Sequence, residues 1–242
     1  SKNEVYFGDC LEVMKCIPDK AIDFIFADLP FQMTLAHWDC MIDLSMLWQQ
    51  YERIIKDNGC IALFAQTPFD KILGASNLKL LRYEWIWEKT QATGFLNAKK
   101  MPMKSHENIL IFYRNLPTYN PQKTTGHKPI NSYTKTIKTQ NNTELYGQMN
   151  REIKGGGDTD RYPRSIIKFA SDKQRNYLFS TQKPLLLCEY LIKTYTNEGD
   201  LVLDNVAGSG STGRAAKNLK RDFIMIENNE KHFNIIKERM KE

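Results

Sequence analysis

The chain lacks paired cysteines, long apolar runs and histidines at metal-ligand spacing. Its five cysteines are scattered, odd in number and without CxxC spacing, which predicts reduced thiols and argues against a zinc site. No apolar run approaches the roughly 18 residues that a membrane span needs, and the charged residues 1–4 leave no apolar signal core there. These absences predict a cytoplasmic protein that binds neither a membrane nor a metal.

The positive charge of the chain is concentrated in one segment. The net charge is +6, and residues 115–176 hold 11 Lys and Arg against 5 Asp and Glu, so the remainder is neutral. The segment is also rich in Pro, Gly, Thr, Asn and Tyr, with three consecutive glycines at 155–157. This composition suits a surface that faces a polyanion. A solvated loop is an equally good interpretation of the charge alone.

Short β-branched or aromatic runs alternate with helical patterns along the rest of the chain, which predicts a mainly parallel sheet. The predicted strands are residues 4–7, 22–27, 60–65, 83–87, 108–113, 201–203 and 223–226, and the predicted helices are 43–57, 184–196, 212–219 and 230–240. Seven strands with helices on both faces give a doubly wound α/β fold, whose ligands lie beyond the carboxyl ends of the strands. The basic segment interrupts this pattern and divides the chain into 1–114, 115–176 and 177–242.

A glycine-rich turn follows the predicted strand that ends at Asp204. Gly208 and Gly210 let the backbone pass close to a ligand, and the helix that begins near Ser211 exposes free N–H groups. The next strand ends at Glu227, where a carboxylate can accept both hydroxyls of a ribose. Together these features predict a site for an adenosine-containing cofactor. The chain has no GxxxxGK[ST] sequence, which disfavours a P-loop nucleotide site.

A second acid ends a predicted strand in the stretch FIFADLPFQMTLAHWD, residues 24–39. Pro30 has a fixed φ and favours an extended Leu29, so the Asp28 carboxylate and the Leu29 carbonyl can point together beside the Phe31 ring. Two acceptors and a flat apolar ring match the exocyclic amine and the face of a nucleobase. For these four residues taken alone, an ordinary turn from strand to loop is the competing interpretation.

These motifs, in this order, resemble the β-class amino-methyltransferases of DNA. That family places a D-P-P-Y loop first, a target-recognition region in the middle and an F-x-G-x-G cofactor loop last. Here DLPF at 28–31 and VAGSG at 206–210 occupy the corresponding places. Three longer blocks are also similar to the family's, and the resemblance covers most of 4–115 and 178–241. The blocks are YFGDCLEVMKCIPDKAIDFIFADLPF, RYEWIWEKTQATGFLNAKKMPMKSHENILIFYR and STQKPLLLCEYLIKTYTNEGDLVLDN.

The resemblance implies which residues bind and react. The catalytic loop that it implies consists of Asp28, Leu29, Pro30 and Phe31. The implied cofactor is S-adenosyl-L-methionine, with Lys183 near its methionine carboxylate. The other implied cofactor-binding positions are Asp9, Cys10, Asp28, Asp204, Asn205, Val206, Gly208, Ser209, Gly210 and Glu227. From the residues alone, Asp9 is also interpretable as a helix cap and Lys183 as a solvated side chain.

The implied reaction is methyl transfer to the exocyclic N6 of adenine in a specific DNA sequence, after the base flips out of the duplex. Asp28 and the Leu29 carbonyl accept the two amine N–H groups in this scheme, and residues 115–176 contact double-stranded DNA. In the family, aspartate at the first loop position goes more often with adenine than with cytosine, so cytosine N4 is the alternative target. A catalytically degenerate nucleic-acid binder and an RNA or protein amide methyltransferase are further hypotheses.

Four residues depart from the family pattern. Leu29, Phe31, Asn205 and Val206 stand where the family has proline, tyrosine, proline and phenylalanine. Because the carbonyl and the stacking ring are kept, activity is expected, with a looser loop and an altered affinity for the cofactor. The resemblance also implies a bacterial or phage protein of the restriction-modification type, associated with the nucleoid, and a homodimer.

Other aromatic and charged residues near the motifs have two interpretations each. Trp38 and Asp39 belong either to a loop beside the target base or to local packing. Trp85 and Trp87 alternate on a predicted strand, as core residues do. For the His-Glu pair at 106–107, a structural role is favoured over contact with the base.

Overall fold

The structure is a computed structural model that describes residues 1–31, 42–131, 133–137, 151–171 and 182–241. The chain forms two compact units. The larger unit comprises Ser1–Asn120 and Ser165–Glu242, and the smaller unit comprises Pro121–Arg164. The smaller unit lies within the predicted insertion 115–176.

The described residues form ten strands and six α-helices. The strands are β1 (Glu4–Phe7), β2 (Ile22–Asp28), β3 (Ile55–Ala65), β4 (Leu81–Thr93), β5 (Lys104–Phe112), β6 (Tyr133–Ile137), β7 (Arg151–Gly155), β8 (Ile166–Phe169), β9 (Leu201–Asp204) and β10 (Asp222–Glu227). The helices are α1 (Cys10–Met14), α2 (Leu44–Ile54), α3 (Phe69–Ser76), α4 (Leu185–Tyr195), α5 (Ser211–Asn218) and α6 (Glu230–Lys241). No helix among them is long and apolar enough to cross a membrane.

The larger unit contains an eight-stranded sheet with the strand order β1-β10-β9-β2-β3-β5-β4-β8. The first five strands of that order pair in parallel, β5 pairs antiparallel with β3 and β4, and β8 joins β4 in parallel. The predicted α/β fold with a mostly parallel sheet is confirmed. The sheet has eight strands instead of seven because β8, the last part of the predicted insertion, pairs with β4 in the sheet.

The acids that end the parallel strands share one edge of the sheet. Phe7 pairs with Glu227 across β1 and β10, Met225 pairs with Asp204 across β10 and β9, and Asp28 is the last residue of β2. Because the carboxyl ends of parallel strands meet at one edge, the predicted cofactor acids and Asp28 lie along the same side of the sheet.

Two hydrophobic clusters cover the two faces of the sheet. Side chains alternate along β2, so Ile25 joins one cluster, with α1, α2 and α3, while Phe24 and Phe26 join the other, with α4, α5 and α6. α2 ends at Ile54, short of the predicted residue 57, because Ile55 pairs with Ile22 as the first residue of β3. The sequence patterns did not predict α3.

Gly210, in the glycine-rich turn after β9, packs closely against α6. Its φ is +75°, and a Cβ there would lie 3.0 Å from Ile236 Cγ2, in the buried core. Gly210→Ala should therefore lower the free energy of unfolding by about 2–4 kcal/mol, because left-handed strain and overpacking each cost about 1–3 kcal/mol. Urea unfolding followed by circular dichroism measures this loss.

Gly199 supplies the matched control for this prediction. Its φ is +84°, but a Cβ there would meet nothing within 4 Å. Gly199→Ala should therefore cost only the backbone strain, about 1 kcal/mol. Equal losses in the two variants would contradict the packing role of Gly210.

Candidate functional site

The predicted catalytic loop, residues 28–31, begins where β2 ends and is fixed by burial on one side. Asp28 pairs with Phe64 of β3. The Leu29 side chain, which replaces a proline of the family pattern, is only 2% exposed and packs in the cluster below α2. The expected loosening of the loop at Leu29 is therefore offset by this apolar anchor. The Phe31 ring is stacked on Phe69 of α3, with centroids 5.1 Å apart and planes at 10°.

Lys183 lies just before α4 and joins two carboxylates. Its Nζ is 2.8 Å from Asp28 Oδ2 and 2.9 Å from Glu107 Oε2, and it lies 4.9 Å from the centroid of the Phe64 ring. The Lys183 side chain is 13% exposed. The interpretation of Lys183 as a solvated side chain is thus wrong, and its contact with a cofactor carboxylate stays a prediction.

Glu107 on β5 completes a charge network of Asp28, Lys183, Glu107 and Lys89. Its Oε1 is 2.5 Å from Lys89 Nζ on β4, and its side chain is 5% exposed. His106, the other member of the pair at 106–107, is exposed. The sequence favoured a structural role for Glu107, because only the β4–β5 pairing and the approach of Lys183 bring its carboxylate to the site.

The charges of the network control one another's pKa values. Burial raises the pKa of Asp28, Lys183 lowers it and Glu107 raises it further. Burial opposes the ionisation of Glu107, but Lys183 and Lys89 hold its pKa below the usual value. Burial also opposes the charge on Lys183, yet Asp28 and Glu107 hold its pKa above the usual value. The network therefore keeps a buried lysine protonated between two carboxylates.

The predicted cofactor turn, between β9 and α5, is held at its base by two acids. Asp204 Oδ1 accepts a hydrogen bond from Val206 N at 3.1 Å, and Glu227 Oε2 accepts one from Gly208 N at 2.8 Å. Glu227 Oε1 accepts another from Asn229 N at 2.8 Å. Burial raises the pKa of Asp204 to about 7. The bonds to Val206 N and Gly208 N hold the turn between β9 and α5 against the ends of β9 and β10.

The other predicted positions of this turn support it from both sides. Asn205 is buried, and its Oδ1 accepts a hydrogen bond from the Tyr51 hydroxyl of α2 at 2.6 Å. The Ser209 carbonyl accepts one from Arg239 Nη1 of α6 at 2.6 Å, and the Ser209 and Ser211 hydroxyls lie 3.1 Å apart. The turn is thus tied to α2 and α6, which lie on opposite faces of the sheet.

Asp9 and Cys10 follow β1 at the same edge. Asp9 Oδ1 accepts hydrogen bonds from Leu11 N and Glu12 N at 2.9 and 3.2 Å, so the interpretation of Asp9 as a helix cap is confirmed. Burial raises the pKa of the Cys10 thiol. Gly8 N also donates to the Glu227 carbonyl at 3.1 Å, which brings this turn beside the end of β10.

The donors and acceptors at this edge suit an adenosine cofactor. Each carboxylate oxygen has more than one acceptor site, so Glu227 can accept ribose hydroxyls while it keeps its two backbone bonds. The backbone at Gly208 faces open space, because the nearest atom to a Cβ there would be the Val206 carbonyl oxygen at 3.9 Å. Gln182 Oε1, next to Lys183, is buried and has no hydrogen-bond partner among the described residues. The carboxylate of Glu227, the open backbone at Gly208 and the buried ammonium group of Lys183 thus lie along the same edge of the sheet.

The smaller unit presents basic side chains on an irregular scaffold. β6 and β7 form an antiparallel pair, and Lys123 Nζ lies 4.4 Å from the centroid of the Tyr162 ring. Arg161 donates to the backbone carbonyls of Asp158, Asp160 and Lys128. Trp38 and Asp39, and part of the predicted basic segment, lie outside the described residues. No cluster of metal-ligating side chains occurs within the described part of the chain.

Comparison with known proteins decides the family. The family model described as DNA methylase, of the N6/N4 type, matches residues 22–238. The chain belongs to the N6/N4 DNA methylases. It is 28% identical over 249 residues to the DNA adenine methyltransferase YhdJ of Escherichia coli K12, a match that covers 94% of this chain and 79% of the relative.

Solved structures of other methyltransferases share the fold. The M1.HpyAVI–SAM complex superposes with a TM-score of 0.65 at 22% identity, over 98% of this chain and 98% of the other. The cytosine-N4-specific PvuII DNA methyltransferase superposes with a TM-score of 0.72 at 14% identity, over 99% of this chain and 86% of the other. The identification as an N6/N4 DNA methylase agrees with the resemblance that the sequence motifs carry.

Proposed function

We propose that this N6/N4 DNA methylase transfers a methyl group from S-adenosyl-L-methionine to the exocyclic N6 of adenine in double-stranded DNA. The observation that carries the proposal is the Asp28 carboxylate at the end of β2, paired with Lys183 and located beside the stacked Phe31 and Phe69 rings. The target base flips out of the duplex to reach this site, since its amine is otherwise buried in the base stack.

Asp28 and the Leu29 carbonyl accept the two hydrogens of the amine. The nitrogen lone pair of such an amine is conjugated with the ring, so the free amine is a poor nucleophile. Two acceptors favour a pyramidal nitrogen, and the carboxylate stabilises the positive charge that develops on it. Lys183 holds Asp28 Oδ2 at 2.8 Å and so fixes the orientation of the carboxylate before the substrate arrives.

Phe31 provides the surface on which the flipped base stacks. One face of its ring is already covered by Phe69, whose plane is only 10° away. Because Phe69 already restrains the Phe31 ring, little conformational freedom is lost when a base stacks on its other face. This supports precise positioning of the base. The phenylalanine keeps this stacking function of the tyrosine that the family pattern has here.

The glycine turn and the acids around it hold the cofactor. When bound, S-adenosyl-L-methionine supplies the methyl group from a sulfonium that already carries a good leaving group. Glu227 accepts the ribose hydroxyls, the turn at Gly208 lets the backbone approach, and Asp9 and Cys10 lie beside the adenine. Lys183 contacts the carboxylate of the cofactor's methionine part, in addition to its ion pair with Asp28.

The basic smaller unit and its flanking residues contact the DNA. Lys123, Lys128 and Arg164 are exposed, and such side chains contact phosphates and groove edges in nucleic-acid complexes. Adenine is favoured as the target because aspartate begins the catalytic loop and because the relative YhdJ is named an adenine methyltransferase. Homodimer formation and association with the nucleoid are further parts of the proposal.

Mass spectrometry of nucleosides tests the proposed reaction. Unmethylated genomic DNA is incubated with the protein and S-adenosyl-L-methionine, digested to nucleosides and compared with a reaction that lacks the protein. We expect N6-methyldeoxyadenosine. N4-methyldeoxycytidine alone would make cytosine the target. Neither product, together with no calorimetric signal for cofactor binding, would support a degenerate nucleic-acid binder. Sequencing of the methylated DNA then gives the recognition site.

A further inference from the structure

The connection between β4 and β5 exposes large apolar side chains at its tip. The β4–β5 tip is defined as residues 94–103. Phe95 is 78% exposed and Leu96 is 96% exposed, and Met101 and Met103 are 58% and 38% exposed. Single exposed apolar residues are common on proteins, but four within nine positions of one tip form a patch of the kind that marks a contact surface.

The tip is held in shape by its own backbone. Gly94, with φ +90°, begins the turn, and its carbonyl accepts a hydrogen bond from Asn97 N at 3.0 Å. The Asn97 carbonyl accepts two more, from Lys100 N at 2.8 Å and Met101 N at 3.0 Å. Phe95 and Leu96 are thus presented outward on a preformed turn, which lowers the entropy cost of binding.

The tip lies beyond the edge of the sheet that carries the site. Thr93 pairs with Lys104 at the base of the tip, and Glu107 lies three residues further along β5. Glu107 contacts Lys183, which contacts Asp28. At about 3.3 Å per residue, the tip begins about 10 Å from the charge network. A duplex that delivers a base to Asp28 would therefore lie within reach of the tip.

The charge of the tip matches a nucleic acid. Residues 94–103 contain two lysines and no acid, and both lysines, Lys99 and Lys100, are exposed. Contact between two tips of identical chains would bring these lysines together, so a second copy of the chain is disfavoured as the occupant. DNA has groups that complement both kinds of side chain. Its phosphates can pair with the lysines, and its bases can pack on the apolar side chains.

We propose that the β4–β5 tip is a wedge that enters duplex DNA next to the target base. Phe95 and Leu96 fill the space that the flipped base leaves, and Lys99 and Lys100 contact the flanking phosphates. Apolar wedges of this kind offset the cost of unstacking a base step. The inference rests on the proposed function, because it requires a base that leaves the duplex.

Two DNA substrates separate the wedge from general DNA binding. One is a duplex with the recognition site that sequencing identifies, and the other is the same duplex with an abasic position opposite the target base. In the second duplex the target base has no pairing partner, so less work is needed to extrude it. The Phe95→Ser/Leu96→Ser double variant should lose about tenfold in kcat/KM on the intact duplex and much less on the abasic one.

Leu78 gives the matched control, because it is 69% exposed and lies outside the tip. Leu78→Ser should leave the rates on both duplexes unchanged. An equal loss on both duplexes in the double variant, or no loss on either, would overturn the wedge. If the wild-type protein methylates no genomic DNA, no recognition site is found; the proposed function then fails, and the wedge fails with it.

Discussion

Asp28→Asn should reduce the rate of methyl transfer by at least about 10²–10³-fold while the protein still folds and binds S-adenosyl-L-methionine. The asparagine keeps the size of the side chain and one acceptor oxygen, but it has no charge to stabilise the positive amine nitrogen. Its NH₂ group is also a donor, so it cannot replace both oxygens of the carboxylate. Glu107 Oε2, which lies 2.9 Å from Lys183 Nζ in the unaltered protein, leaves the buried lysine a counter-charge in this variant.

Initial rates with a radiolabelled methyl group, and calorimetry with the cofactor, measure the two effects separately. Asp57→Asn is a suitable control, since Asp57 is also an ion-paired acid of the larger unit, 2.8 Å from Lys20, but belongs to no part of the site. That variant should keep the wild-type rate. If Asp28→Asn methylated DNA at a rate close to the wild type, the assigned role of Asp28 would be wrong.

Lys183→Met should move the acid limb of the pH profile of kcat/KM to higher pH. Lys183 lowers the pKa of Asp28, so its removal raises the pH at which Asp28 ionises and becomes an effective acceptor. The rate should therefore fall most at low pH and recover partly at high pH. Stability should fall as well, by about 1–3 kcal/mol, because the part-buried Asp28 loses its cation while the buried Glu107 keeps Lys89.

Glu107→Gln tests the same network in the opposite direction. Glu107 raises the pKa of Asp28, so its removal should move the acid limb to lower pH. A purely structural role of the network would lower stability in both variants and leave the pH profile in place. Parallel shifts of the two profiles, or no shift in either, would contradict the electrostatic role assigned to Lys183 and Glu107.

The sequence predicted the elements of the fold that have strong local patterns. β2, β9 and β10 are apolar runs that end in acids, and both faces of such buried strands must be apolar. The helical pattern predicted the wrong element where strand pairing overrides local preference. Ile55 continues the helical pattern of α2 but pairs with Ile22 as a strand residue. β8 has only four residues inside a turn-rich segment, so its strand character depends on β4.

The residues of the candidate site that could be predicted are those in which one motif gives both the place in the fold and the reactive group. Asp28 and Glu227 end strands, and their shared edge follows from the topology of a parallel sheet. The partnership of Lys183 with Glu107 could not be predicted, because the two residues lie 76 positions apart and neither has a local pattern that requires the other. The stacking of Phe31 on Phe69 depends likewise on α3, a helix that the sequence patterns did not indicate.

The two residues of the larger unit that flank the smaller one, Asn120 and Ser165, are hydrogen-bonded within the larger unit. Asn120 N donates to the Thr194 carbonyl at 2.7 Å, and the Ser165 carbonyl accepts from Ile86 N at 2.7 Å. The described residues between Asn120 and Ser165 contribute β6 and β7, which form a separate pair and no part of the eight-stranded sheet. Residues 121–164 are thus an insertion that forms its own compact unit. Under the proposed function, exchanging residues 121–164 between homologues should change the DNA sequence that is recognised and leave the catalytic loop in place.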